Sequence, residues 1–197
     1  MSLRNLRLAL WAAVVAAALG ALWLLVIAPR FEETVQDTIG RGGYALPATD
    51  GGVFDAAALE NGPSAVFFGF TNCPDVCPTT LGDIATWRDA LGPEADRIRF
   101  WFVTVDPERD SLDTLREYIS WSEGVTGAAG TPEQVAEELS AFRIYARKVP
   151  LEGGGYTMDH SAYVMLFDKD GRFDQVISYQ EDPDRAVSKL RRLIAAG

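Results

Sequence analysis

The sequence predicts an α/β domain with a mixed parallel and antiparallel sheet, carried behind one membrane-spanning helix. Three features point there. Residues 8–28 form one apolar run, later apolar runs alternate with amphipathic segments, and Asp170-Gly171 marks a tight turn between the last two runs. Strands separated by helices need crossovers and so pair in parallel, whereas a tight turn makes its two strands antiparallel.

The run from Leu8 to Ala28 has no charged side chain and makes a helix of roughly 31 Å at ~1.5 Å per residue, enough to cross a bilayer. A cleaved signal peptide is the competing reading, but the run exceeds the ~7–15 apolar residues of a signal, and Pro29 would stand at the new N-terminus. By the positive-inside tendency Arg4 and Arg7 stay in the cytoplasm. The chain thus divides into a cytoplasmic stub and anchor at 1–29, a polar tether at 30–43 and an exported domain at 44–197. The expectation is a single-pass protein of the inner membrane, its soluble part on the periplasmic side. The roughly 165 residues after the anchor fit one domain with a sizeable core. A net charge of −10 disfavours nucleic acid and anionic lipid as partners.

Tyr44–Leu46 and Gly52–Phe54 are read as a hairpin across Asp50-Gly51. Ser64–Phe70 is a continuous apolar run, as expected of a strand buried on both faces. Pro78 suits a first helical position, and Leu81, Ile84 and Trp87 continue that helix to Leu91. Ile98–Val105 is a second buried strand, Ser111 caps a helix through Ser120, and Thr131-Pro132-Glu133-Gln134 opens another as a capping box. Ser161–Phe167 and Phe173–Tyr179 flank the last turn, and Asp182-Pro183 starts a closing helix. This order, behind an N-terminal hairpin, is the thioredoxin-like layout. It sets the loop Thr71-Asn72-Cys73-Pro74-Asp75-Val76-Cys77-Pro78 beyond the carboxyl end of a central strand, where open α/β sheets place ligands.

That loop holds both cysteines of the chain, and His160 is the only histidine. A residue before proline is pushed out of the helical region, so Cys77 is expected to be the N-cap, with Cys73 one turn earlier. Both sulfurs then lie at the positive end of a helix, which favours thiolate. A disulfide closing so short a loop contributes little stability. Redox catalysis and metal binding both remain open. Thioredoxin-type enzymes space their cysteines one residue closer and set a cis-proline before the facing strand, where Ser161 and Ala162 stand here. The start of that strand is expected to lie beside the end of Ser64–Phe70, bringing His160 to face Cys73 and Cys77, with Gly153-Gly154-Gly155 as a flexible approach. Two thiolates and one imidazole are a donor set for copper.

From about Tyr44 to the C-terminus the sequence resembles the Sco (SenC) copper chaperones of cytochrome oxidase assembly. The resemblance is carried by the segments Phe68–Pro78, Val103–Asp110, Gly127–Glu133 and Asp159-His160-Ser161, in that order. It implies that Cys73, Cys77 and His160 are copper ligands. It implies for Asp106 a part in copper handling or partner contact, beside the plainer reading of a turn before a helix. Asp75 is either a further oxygen for Cu(II) or a solvating loop residue. The implied function is delivery of copper to the binuclear copper centre of a cytochrome c oxidase subunit, with other copper chaperones as partners and loading gated by the redox state of Cys73 and Cys77. The alternatives are a thiol-disulfide reductase acting on the acceptor's cysteines, and a sensor or peroxidase, for which no arginine stands in the Thr71–Pro78 loop.

Overall fold

The computed structural model describes residues 3–23, 25 and 35–196. They fall into two units, divided after Thr34. The first contains helix α1 (Leu3–Leu22), in which Leu8, Trp11, Val14 and Leu19 are exposed. Among the described residues no helix is long and apolar enough to cross a membrane. Arg4 and Arg7 sit inside α1, so its uncharged part begins only at Leu8. Residue 24, the end of the apolar run at 26–28, Pro29 and the tether through Thr34 lie outside the described residues.

The second unit begins at Val35, earlier than the expected Tyr44. In place of a tether through Gly43 there is a short helix, α2 (Val35–Thr38), followed by the buried Ile39 and Gly40. A Cβ on Gly40 would come within 3.0 Å of Leu59 and 3.1 Å of Phe167, so this segment is packed into the domain. The hairpin β1 (Ala45–Pro47) and β2 (Val53–Asp55) forms as expected. Asp55 then caps a short helix α3 (Ala56–Leu59), accepting the Ala58 N–H.

The remaining elements are β3 (Ser64–Gly69), α4 (Val76–Leu91), β4 (Arg99–Thr104), α5 (Leu112–Ile119), β5 (Val125–Ala128), α6 (Pro132–Phe142), β6 (Ala146–Pro150), β7 (Tyr156–His160), β8 (Tyr163–Phe167), β9 (Phe173–Ser178) and α7 (Pro183–Ala195). The central sheet runs β5-β4-β3-β8-β9. Its β3–β4 and β4–β5 pairs are parallel and its β3–β8 and β8–β9 pairs antiparallel, the mixed sheet expected from the connections. Every residue of β3 is buried, which is why its sequence is a continuous apolar run. Phe142 of α6 carries much of the core, its ring against Tyr44, Phe54, Phe68 and Phe167. The capping box at Thr131 and Gln134 is present, as are the caps at Ser111 and Asp182.

Two parts of the fold depart from the sequence reading. Strand β5 lies at the sheet edge in a stretch to which the sequence reading assigned no element, and its Gly127 leaves room for Leu115 and Thr49, either of which a Cβ would meet at about 3 Å. Strands β6 and β7 form a separate two-stranded ladder in which Ala146 pairs with His160. Gly153, Gly154 and Gly155 close it with positive φ, so they are a turn rather than a free approach.

Candidate functional site

β3 ends at Gly69 and the chain turns at once, the Cys73 N–H donating to the Phe70 carbonyl at 3.3 Å. Cys77 is not the N-cap. α4 already starts at Val76, because the Asp75 carbonyl accepts the Thr79 N–H and closes the first turn two residues earlier than Pro78 implied. The Asp75 side chain makes no cap bond to the backbone. Instead the Cys73 sulfur accepts the Cys77 N–H at 3.3 Å, a sulfur standing where a capping oxygen would.

Cys77 is fully buried and Cys73 half-buried, and both are free thiols. One proton serves the pair. The Cys77 thiol donates to Cys73, which, against the cost of burial, holds Cys73 down at a pKa of about 4, helped by His160 and by the backbone at Cys77 and Asp75. Donating that bond, together with burial, pushes Cys77 well above the ordinary thiol range. The expected result is that iodoacetamide alkylates Cys73 of the reduced chain down to about pH 4, where an ordinary cysteine of pKa ≈ 8.5 is inert, while Cys77 stays unlabelled. Mass spectrometry of the labelled peptides over a pH series checks it, and loss of Cys73 labelling near pH 8 would contradict it.

His160 ends β7, where the pairing of β3 with β8 brings the chain over the cysteine loop. Its Nδ1 lies 2.9 Å from the Ser161 carbonyl, an acceptor only, so Nδ1 carries a proton and Nε2 is left for the site. Phe70 meets the imidazole edge-on, with ring centres 5.7 Å apart. Cys73 and His160 share the walls of a cleft of about 230 Å³ with Phe70, Asp75, Met158 and Asp159, while Cys77 lies behind it. The structure therefore brings the three expected ligands together in pairs, Cys73 with Cys77 and Cys73 with His160. Among the described residues no group of three or more His, Cys, Asp or Glu side chains is gathered closely enough to hold a metal ion as it stands. Soft sulfur with imidazole is nonetheless a donor chemistry suited to Cu(I).

The two carboxylates singled out from the sequence sit differently. Asp75 is exposed at the cleft edge, with the Thr79 hydroxyl 3.4 Å away. Asp106 is fully buried, and its oxygens are taken by the Arg109 guanidinium and, at 2.8 Å, by the Tyr156 hydroxyl. Arg109 also donates to the Tyr156 carbonyl at 2.9 Å and lies over the Tyr156 ring. Asp106 thus ties the β6–β7 ladder, and with it His160, to the end of β4.

A residue to which the sequence reading gave no role does the same for the cysteine loop. Buried Asp110 accepts the Thr71 N–H at 3.0 Å, the Thr71 hydroxyl at 2.6 Å and the Thr104 hydroxyl at 2.7 Å. The signal was present in the segment 106–110, where two carboxylates stand four residues apart at the end of a buried strand. The Asp106 carbonyl accepts the Asp110 N–H, and that single turn puts both side chains beneath the site.

A reduced, asymmetric dithiol at the carboxyl edge of a mixed sheet, with an imidazole across a small cleft, defines a thioredoxin-like protein equipped for sulfur and metal chemistry. The family model described as SCO1/SenC matches residues 32–195, and the chain belongs to that family. It is 31% identical over 196 residues to the mitochondrial SCO2 homolog of Bos taurus, covering 93% of this chain and 74% of that protein. The structure of Bradyrhizobium japonicum ScoI with copper bound matches with TM-score 0.72 and 38% identity over 79% of this chain and 99% of its own. Yeast Sco1 with copper bound matches with TM-score 0.73 and 29% identity, over 81% and 90% of the two chains.

Proposed function

We propose that this chain is a membrane-anchored copper chaperone. It takes copper as cargo on Cys73, Cys77 and His160 and passes it to the binuclear copper centre of a cytochrome c oxidase subunit, after loading from another copper chaperone. The observation that carries this reading is the Cys73 thiolate, in contact with both the Cys77 thiol and His160 at the wall of a cleft. Relatives solved with copper bound support the choice of metal. Thiolate is the form that binds metal, and oxidation of the thiolate–thiol pair by exchange with a partner disulfide, with loss of two electrons and the one proton the pair shares, removes both sulfur donors at once. Loading is therefore gated by redox state. Asp106, clamped by Arg109 and Tyr156, positions His160 rather than meeting the metal, and Asp75 at the cleft edge offers an oxygen to Cu(II). The apolar segment from Leu8 onward, starting within α1, anchors the chain in the inner membrane with the domain on the periplasmic side.

The test is copper stoichiometry and absorption of the full chain in detergent, reduced and loaded without oxygen, beside His160→Ala and Cys77→Ser. A single copper per chain with a thiolate-to-Cu(II) charge-transfer band, lost or much weakened in both variants, is the expected outcome. A second reading, disulfide reduction, draws on the asymmetry of the pair, an accessible thiolate at Cys73 with a buried thiol behind it. In that reaction Cys73 attacks a partner disulfide and Cys77 displaces the partner's thiolate. It predicts turnover that survives His160→Ala and a wild type that retains no copper.

A further inference from the structure

Cys77 lies behind the cleft wall, so the three-ligand set is not what an arriving ion meets first. The residues on the wall itself include Cys73, His160 and Met158, whose side chain carries one more soft donor, a thioether. On β7 side chains alternate between faces, which puts Met158 two residues before His160 on the same face. The side chain is half-buried and packs against the core, so it is held in place. Asp159 and Asp75 line the same cleft, but their oxygens are hard donors suited to Cu(II), and Asp159 already faces Arg147 at 3.8 Å and the Tyr145 hydroxyl at 3.4 Å.

Building on the copper reading above, we propose that Met158 is a ligand for incoming Cu(I). Copper enters on a cleft-facing set of Cys73, His160 and Met158, in front of the fully buried Cys77. A thioether is neutral and soft, so it holds Cu(I) without adding charge and is only a weak ligand for Cu(II), which favours imidazole, oxygen and anionic thiolate donors. Met158 therefore biases the entry site toward the reduced ion.

Met158→Leu nearly conserves volume and is expected to leave the fold intact. The experiment measures Cu(I) affinity of the full reduced chain in detergent, by competition with a chromophoric Cu(I) chelator, alongside the Cu(II) absorption spectrum and affinity. The expected result is a Cu(I) dissociation constant raised about tenfold in Met158→Leu, with the Cu(II) band and affinity unchanged. X-ray absorption of the wild type with Cu(I) then shows one more sulfur neighbour than the variant does. Unchanged Cu(I) affinity, or an equal loss for Cu(I) and Cu(II), would overturn the assignment and leave Met158 as packing beside His160. A wild type that binds neither ion overturns the copper reading itself, and this proposal with it.

Discussion

Gly69→Ala is expected to destabilise the domain by about 1–3 kcal/mol, the usual cost of overpacking a filled core, and to unseat the thiol pair in the same step. A Cβ on Gly69 would stand 2.7 Å from Cζ of Phe102 and 2.9 Å from Sγ of Cys77. Neither neighbour has room to retreat. Phe102 is fully buried between β3 and β5, its ring edge-on to Phe67, and Cys77 is fully buried in the first turn of α4. The thiol that must move is the one whose hydrogen bond holds Cys73 ionised, so the Cys73 pKa rises from about 4. Urea unfolding reports the stability, and the pH at which iodoacetamide labelling of Cys73 falls by half reports the thiolate. A variant with unchanged stability and unchanged labelling would show that the close approach of strand and sulfur has no energetic weight. A loss of stability with the labelling midpoint unmoved would separate packing from thiol activation.

The contact also shows why the site was only partly legible in the sequence. Cys73, Cys77 and His160 stand out as the chain's only cysteines and histidine, and the buried run of β3 places the first two at a sheet edge. The sulfur cap does not stand out. Proline at 78 argued for a helix beginning there, but the Asp75 carbonyl accepts the Thr79 N–H and the Cys73 sulfur accepts the Cys77 N–H, so Cys77 lies inside the helix and is buried. β5 and the β6–β7 ladder escaped for a different reason. Val125-Thr126-Gly127-Ala128 has too little apolar bulk for a buried-strand signal, its burial coming from neighbours such as Leu115. β6 and β7 have mostly exposed or half-exposed side chains, so no period-two pattern is written into them. Long-range pairs decide their place. Arg109 and Asp106 with Tyr156, and the Lys148–Glu108 ion pair, join segments 40 to 50 residues apart, and no local pattern encodes them.

The other large effect lies away from the site, at Glu138. Its side chain is fully buried in α6, and neither carboxylate oxygen has a hydrogen-bond partner among the described residues. Burial pushes its pKa well above the ordinary carboxylate range. Because the folded chain holds this proton more tightly than the unfolded chain does, the sign is fixed. The contribution to stability is fully present below about pH 4.5 and is lost as pH rises toward the folded pKa. Glu138→Met keeps the length of the side chain and removes the desolvated group, and is expected to stabilise the domain by about 1–3 kcal/mol at neutral pH. Its advantage over the wild type should grow with pH above the ordinary carboxylate pKa. Glu138→Gln separates the two causes, since it retains an unpartnered polar group but cannot ionise. It should gain less at any single pH while showing no more pH dependence relative to Glu138→Met than the remaining groups impose. Thermal unfolding of the three proteins from pH 4.5 to 8 measures this directly. If the wild type and Glu138→Met run parallel across that range, the buried carboxyl has found a partner in solution and its ionisation carries no cost to the fold.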